Sequence, residues 1–245
     1  MDSGLYTAYS GLRAQSDALE ILANNLANIN TTGFKEQNAF YTYLKQSVEN
    51  SEGSTDLNDV INQSIQTLSA LNFETGSLSE TNRDLDVAIT GEGFLAVQTP
   101  RGIRYTRNGN LQLNAQSVLT TSEGYPILGT SGRTITLGPG KIRIGESGDI
   151  FLDGIQVDRL KIASFNDLSK IEKEGSSLFK STAGRTSEKD SDAKIKAGFL
   201  EQSNVNPVSS IVRMVEIHRH FEAIQKSVHL VMNEVNAKAI DKLGR

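Results

Sequence analysis

The sequence of 245 residues contains no cysteine and no tryptophan, and only 4 prolines. Without cysteine the chain has no disulfide bonds, no thiolate nucleophile and no cysteine ligand for zinc. The absence of cysteine does not indicate the redox compartment, because a chain without thiols is compatible with either side of a membrane. Aromatic residues are scarce at 6%, whereas 21 glycines and abundant Asn, Ser and Thr are typical of short strands joined by many turns.

Basic charge and long apolar runs are missing as well. The formal net charge is -4, which argues against a protein that binds nucleic acid through its phosphates, because such proteins are normally basic. No stretch approaches about eighteen apolar residues, so we expect no transmembrane helix and no direct membrane insertion. The opening, MDSGLYTAYSGLRAQ, has no basic region followed by an apolar core, so we expect no cleaved signal peptide. A role outside the cytoplasm would then need another export route.

The first 30 residues predict a helix with a narrow apolar seam. Leucines recur at every seventh position, and other apolar residues stand three positions after members of that row. Such a seam is narrower than the stripe that covers the core of a globular domain. We expect the helix to begin near Asp2 or Ser3 and to end among asparagines and Gly33. The seam consists of Leu5, Leu12, Leu19, Leu22, Leu26 and Ile29.

A second seam lies near the other end of the chain. Asn206 is a suitable N-cap and Pro207 a suitable first helical residue, so we expect a helix to begin there. Apolar residues then alternate three and four positions apart over three heptads, which is the pattern of a coiled-coil helix. They are Met214, Ile217, Phe221, Ile224, Val228, Val231 and Val235.

The segment between the helices changes its period. Residues 73–200 contain short alternating runs that are broken by glycine turns, which predicts an all-β domain of the sandwich or barrel kind. Residues 36–72, with the polar stretch NSEGSTDLNDVINQ, are expected to be an extended linker. The predicted fold class is α+β. In it, helical assembly segments 1–35 and 201–245 pair as a coiled-coil-like unit, and a central β domain separates them.

The signals for catalysis or metal binding are weak. His218 and His220 are two positions apart on a helix, so they point to different sides and are unsuited to one metal ion. The Gly-x-Gly of TGEGFL lacks the third glycine and the helix of a dinucleotide fingerprint, and a tight β-turn is the simpler interpretation. The basic strand RGIRYTRNG could stack on a single-stranded nucleic acid, but a charged hairpin edge is favoured. We expect no enzyme, no cofactor, no metal and no nucleic acid.

Three stretches resemble one known family. SGLRAQSDALEILANNLANINTTGFK carries ANNLAN at positions 23–28 and TGFK at positions 32–35. The centre contains TGSLSETNRDLDVAITGEGFLAV, and LEQSNVNPVSSIVRMVEIHRHFEA precedes the C-terminal end. These motifs resemble those of the bacterial flagellar rod and hook proteins over nearly the whole chain. The length and the opening are most similar to the proximal-rod members. The C-terminal helix departs from the family pattern at Ile224, where many members carry an amide.

The resemblance implies a structural subunit of the proximal rod that assembles helically and transmits torque. Its expected partners are other rod subunits and the flagellar type III export apparatus, and its expected location is the periplasmic rod of the basal body. Three asparagines cannot all face the leucine seam, so we expect their amides to bridge adjacent subunits. They are Asn24, Asn25 and Asn28. The alternatives are a distal-rod or hook subunit, a rod-like protein of a related secretion apparatus, or a β-domain binding module with helical oligomerisation arms.

Overall fold

The structure, a computed structural model, describes residues 2–45, 63–182, 188–191 and 193–243, and it divides into two compact units. The helical unit consists of Met1–Leu26, Gln37–Ala70 and Pro207–Arg245. The β unit consists of Ala27–Glu36 and Leu71–Asn206. A helix near each end and a β-rich centre confirm the α+β fold class. The unit boundaries differ from the expected segments, because residues 27–36 and 201–206 belong to the β unit.

The helical unit contains two long helices and two paired strands. Helix α1 spans Asp2–Ala27 and helix α2 spans Pro207–Leu243. Strand β1 (Gln37–Lys45) pairs with strand β2 (Gln63–Leu71). The described parts of the expected extended linker are therefore strands, in keeping with their Thr, Tyr, Phe and Ile content. Most of the polar stretch within that linker lies outside the described residues.

Helix α1 ends earlier than the predicted helical segment because the asparagines and Gly33 form a turn. The Thr31 amide donates to the Asn28 carbonyl at 3.1 Å, and the Thr31 hydroxyl donates to the Asn28 side-chain oxygen at 3.2 Å. Gly33 has a φ of 68°, in the left-handed region that favours glycine. A Cβ atom on Gly33 would lie 2.3 Å from the backbone carbonyl carbon of Arg107, so no larger residue fits there.

The β unit is built from short antiparallel strands. A six-stranded sheet has the order β13-β14-β6-β5-β12-β15, and a three-stranded sheet has the order β11-β10-β9. Three further pairs are β16 with β4, β17 with β3, and β7 with β8. The strands are β3 (Leu78–Glu80), β4 (Val87–Thr90), β5 (Phe94–Thr99), β6 (Gly102–Thr106), β7 (Leu111–Leu113), β8 (Leu119–Thr121), β9 (Ile142–Ile144), β10 (Asp149–Leu152), β11 (Ile155–Arg159), β12 (Ile162–Phe165), β13 (Ile171–Glu174), β14 (Leu178–Ser181), β15 (Glu188–Asp190), β16 (Lys194–Ala197) and β17 (Phe199–Glu201).

Two apolar clusters form the core of the β unit. The larger cluster is aliphatic and includes Leu95, Val97 and Ile127, which are fully buried. The smaller cluster is aromatic, with the rings of Tyr105 and Phe165 packed edge to face at 4.7 Å. Adjacent residues of β5 face different clusters, as the alternation of side chains along a strand requires. The alternating pattern that predicted the β domain is therefore the pattern of this core.

Candidate assembly surface

The predicted seam of α2 coincides with the less exposed face of that helix. Met214, Ile217, Phe221, Ile224 and Val228 are half-buried, whereas the residues between them are exposed. Val231, the next seam residue, is exposed at 48%. The side chain of Val235 lies outside the described side chains. The sequence period therefore matches the less exposed face of the helix over the first two heptads of the seam, and the assembly role of that face stays a prediction.

A second apolar stripe on α2 was missed by the sequence reasoning. Val208 is 70% exposed, and Ile211, Val212 and Val215 are between 46% and 52% exposed. Their spacing of three or four residues places them along one side of the first turns of the helix. Large apolar side chains that remain exposed together are typical of an interaction surface. The apolar spacing of these four residues was visible in the sequence, but only the longer seam from Met214 onward was interpreted as an interface.

The most buried row of α1 shares only Leu22 with the predicted leucine seam. Ala14, Ala18, Leu22 and Asn25 are all at least 94% buried, whereas Leu12, Leu19 and Leu26 are half-buried. The side chain of Leu5 lies outside the described side chains.

Strand β2 contacts α1 at the buried row. The Thr67 hydroxyl donates to the Ala14 carbonyl at 3.0 Å, and the small side chain of Ala14 leaves room for this approach. Burial by a strand is not knobs-into-holes packing between two helices, and coiled-coil pairing of α1 with α2 is not confirmed.

Asn25 has an intrachain role instead of the expected intersubunit one. Its side chain is fully buried. Its amide nitrogen donates to the Gln37 carbonyl at 2.8 Å, and its amide oxygen accepts from the Gln37 backbone N–H at 3.0 Å. Both ends of the amide are thus occupied by the backbone at the start of β1. Asn25 fastens that strand to the last turn of α1, and its amide is not free to bridge subunits.

The other residues expected at the interface lie around this row. Asn24 is exposed on α1. Asn28 and Ile29 follow the helix, belong to the β unit and are half-buried. Of the three asparagines, Asn24 therefore retains the exposure that an intersubunit contact requires.

Two grooves open on the helical unit. The larger has a volume of about 690 Å³ and is lined by Leu12 of α1 and by apolar and polar residues of α2, among them Val228, Leu230 and Met232. The smaller has a volume of about 200 Å³ and lies among α1, β1 and α2. Tyr41 lines it, and burial raises the pKa of its phenol. No described helix is both long and apolar enough to cross a bilayer.

The ends of the two terminal motifs, at Lys35 and Glu201, meet within the β unit. Lys35 Nζ lies 2.6 Å from Glu201 Oε1, and both side chains are fully buried. Burial lowers the pKa of Lys35, and the neighbouring Glu201 carboxylate opposes that shift. Lys173 Nζ lies 3.6 Å from the centre of the Phe34 ring, and burial lowers the pKa of Lys173 to about 8. The spacing of these residues in the sequence did not predict that they are in contact.

Three family models match the chain. Residues 5–35 match the flagella basal body rod protein model, residues 88–159 the flagellar hook protein FlgE/F/G D1 domain, and residues 196–231 the flagellar basal body rod FlgEFG protein C-terminal model. The flagellar basal-body rod protein FlgF of Caulobacter vibrioides is 35% identical over 100% of this chain and 99% of that protein. The chain belongs to the flagellar basal-body rod protein family. FlgF of Rhizobium meliloti is 31% identical over 100% of this chain and 99% of its own length.

Another rod protein is similar over most of its length. FlgG of Buchnera aphidicola is 31% identical over 94% of this chain and 95% of that protein. The rod-protein family is a family of structural proteins. The chain is accordingly a structural subunit of the flagellar basal-body rod and not an enzyme.

Proposed function

We propose that the chain is a proximal-rod subunit that assembles helically through α1 and α2 and so transmits torque along the rod. The observation that carries this proposal is the apolar stripe of α2, where Val208, Ile211, Val212 and Val215 remain 46–70% exposed. Complete burial of each side chain would contribute roughly 1 kcal/mol beyond its present burial. A stripe of this kind favours a partner that covers it, and the partners are other rod subunits, either the same or related chains.

The seam residues of α1 and α2 complete the interface in this proposal. Helices with narrow seams gain most of their stability from packing partners, so assembly is the state in which they pair as a coiled-coil-like unit. Contacts between different faces of successive subunits, repeated with a rotation that does not close, produce a helical filament. Asn24 is positioned to add polar contacts at that interface, because its side chain is exposed on α1.

Resemblance to the rod and hook proteins supports the location and the route. We place the subunit in the periplasmic part of the basal body and propose that the flagellar type III export apparatus delivers it without a cleaved signal peptide. Similarity to proteins named FlgF supports the proximal position. Similarity to proteins named FlgG supports a distal-rod position as the second candidate, and the axial position of a labelled subunit in isolated basal bodies distinguishes the two.

The assembly role is tested by the double variant Ile211→Gln/Val215→Gln. Both positions are exposed, so the isolated chain should keep its helical circular dichroism and its solubility. In a host that lacks its own copy, we expect the variant to be expressed but absent from isolated rods, with loss of swimming. The matched control is Arg219→Gln, an exposed position on the same helix. Normal rods and motility in the double variant would refute the role of the stripe.

Limited proteolysis of the dilute chain, followed by intact mass, tests the alternative of a binding module. Assembly helices that await partners should be cut rapidly, leaving a fragment that corresponds to the β unit. A binding module with preformed helical arms should instead resist cleavage along its whole length as a stable, closed oligomer.

A further inference from the structure

The chain passes between the helical unit and the β unit four times, at residues 26–27, 36–37, 70–71 and 206–207. On the β-unit side, these passages involve the segments 27–36, 71–76 and 201–206. All three segments are hydrogen-bonded to one another within the β unit. This arrangement gathers the places where the chain enters and leaves that unit into one small region.

Asn204 links the three segments through its side chain. Its amide oxygen accepts from the Glu36 backbone N–H at 2.7 Å, and its amide nitrogen donates to the Asn72 carbonyl at 2.9 Å. The Asn72 backbone N–H in turn donates to the Glu36 carbonyl at 2.8 Å. The segments 27–36 and 71–76 therefore contribute backbone groups, and the segment 201–206 contributes the side chain that binds both.

Glu201 also connects several parts of the chain in this region. Its carboxylate accepts from Lys35 Nζ at 2.6 Å, from the Gly76 backbone N–H at 3.1 Å and from Arg107 Nη1 at 3.3 Å. Its backbone carbonyl accepts from the Gly33 N–H at 2.8 Å. One fully buried residue thus holds the segment that follows α1, the segment that follows β2 and the residue that follows β6.

The ion pairs at Glu201 contain more positive than negative charge. Two cations, Lys35 and Arg107, share a single carboxylate, and all three side chains are at least 96% buried. Lys35 also donates to the Glu74 carbonyl at 2.7 Å, and Arg107 Nη2 donates to the Gly91 carbonyl at 2.7 Å. A buried charge that loses its counter-charge is costly, even where neutral oxygens remain. Loss of Lys35 leaves one cation with the Glu201 carboxylate, whereas loss of the Glu201 charge leaves two buried cations with only the electrostatic attraction of Glu92 on Arg107.

From these contacts we propose that Lys35, Arg107 and Glu201 form a clasp that fastens the segments leading to both terminal helices into the β unit. The clasp depends chiefly on Glu201, because that residue carries its only negative charge. This role is separate from assembly, since it concerns residues inside the β unit of a single chain.

Hydrogen exchange of the purified full-length chain, read by mass spectrometry on peptides, tests the clasp. The reporter amides are those of Gly33, Glu36 and Gly76, and the reference amide is Ala96 in β5, which donates to the Lys161 carbonyl. The test variants are Glu201→Gln and Lys35→Met. The matched control, Glu80→Gln, makes the same chemical change at an exposed position on β3, the partner strand of β17.

We expect the reporter amides to exchange at least about tenfold faster in Glu201→Gln, with a smaller acceleration in Lys35→Met. The reference amide should change by less than about twofold, and Glu80→Gln should resemble the wild type. Failure of Glu201→Gln to fold, while Lys35→Met folds with a normal reference amide, would support the same charge asymmetry. The proposal is overturned if Lys35→Met matches or exceeds Glu201→Gln, if both fail to fold, or if the reporters exchange at the wild-type rate.

Discussion

Replacement of Asn25 by alanine removes the side chain that joins the end of α1 to the start of β1. In the wild type, the buried amide of Asn25 donates to one backbone group of Gln37 and accepts from the other, at 2.8 and 3.0 Å. Alanine offers neither group. The Gln37 N–H and C=O, which are half-buried, then lose their partners together.

The expected loss in the free energy of unfolding comes from the unpaired N–H and C=O of Gln37. A buried polar group left without a partner costs about 1–3 kcal/mol, and the lower part of this range applies because Gln37 is not fully buried. Alanine is also the better helix former by about 0.5 kcal/mol, which offsets part of the loss. Asn24→Ala, one residue earlier at an exposed position, receives the same helical gain without losing the contacts to Gln37. We therefore expect Asn25→Ala to be less stable than Asn24→Ala by about 2 kcal/mol.

Urea unfolding, followed by the helical band of the circular dichroism spectrum, measures this difference. The comparison between the two variants removes the shared change in helix propensity, so the difference reports how much more the side-chain contacts of Asn25 contribute than those of Asn24. Protection of the Gln37 amide against hydrogen exchange should fall in Asn25→Ala alone. A difference below about 0.5 kcal/mol would refute the role assigned to Asn25, because it would fall within the range of ordinary surface substitutions.

Three other predictions address the β unit. Gly33→Ala should lower the free energy of unfolding by about 3 kcal/mol or more, because its Cβ would lie 2.3 Å from a backbone atom. Gly124→Ala, also at positive φ but with nothing within 4 Å of its Cβ, should lower it by only about 1 kcal/mol. Equal losses for the two variants in calorimetry would contradict the steric argument. A fragment of residues 27–206 should melt at least about 10 °C above a fragment of residues 73–200, because the shorter fragment lacks Lys35 and Glu201 and leaves Arg107 without the carboxylate that binds it. Equal melting temperatures would show that residues 27–72 and 201–206 are dispensable for the stability of the β unit. The pKa of Lys173 is about 8 in the folded chain and ordinarily 10.5, so unfolding takes up a proton when the pH lies between these values. The wild type should therefore gain stability from pH 8 to 10 relative to Lys173→Met. Parallel curves of stability against pH would count against the lowered pKa.

Several features of the fold were predictable because they are local. The seam of α2 repeats at helical spacing, and the half-buried positions of that helix are the ones that the repeat identified from Met214 to Val228. Asn206 and Pro207 predicted the beginning of α2, which begins at Pro207. Alternating apolar residues between glycine turns likewise predicted the β unit. Each of these signals depends on neighbours within a few residues, so sequence alone contains it.

The contacts of β1 and β2 with α1 account for the difference between the predicted seam of α1 and its buried residues. The predicted seam residues Leu12, Leu19 and Leu26 are only half-buried. The buried residues are Ala14, Ala18 and Leu22, of which only Leu22 belongs to the predicted seam. Apolar periodicity ranks residues by hydrophobicity, whereas a strand that packs against the helix backbone selects for small side chains. Asn25 was misassigned for the same reason, because a buried amide and a solvated amide look alike until the partner backbone is placed.

The sequence by itself determined the helix at each end, the β-rich centre and the family, since periods, turns and motifs are properties of short stretches. Only the tertiary structure decided which row of α1 is buried and which groups the buried charges meet. Lys35 and Glu201 are 166 residues apart, and nothing in the spacing of either motif indicates the other. Their meeting depends on how the strands between them fold back, because a contact between distant residues is a property of the whole unit and not of either segment.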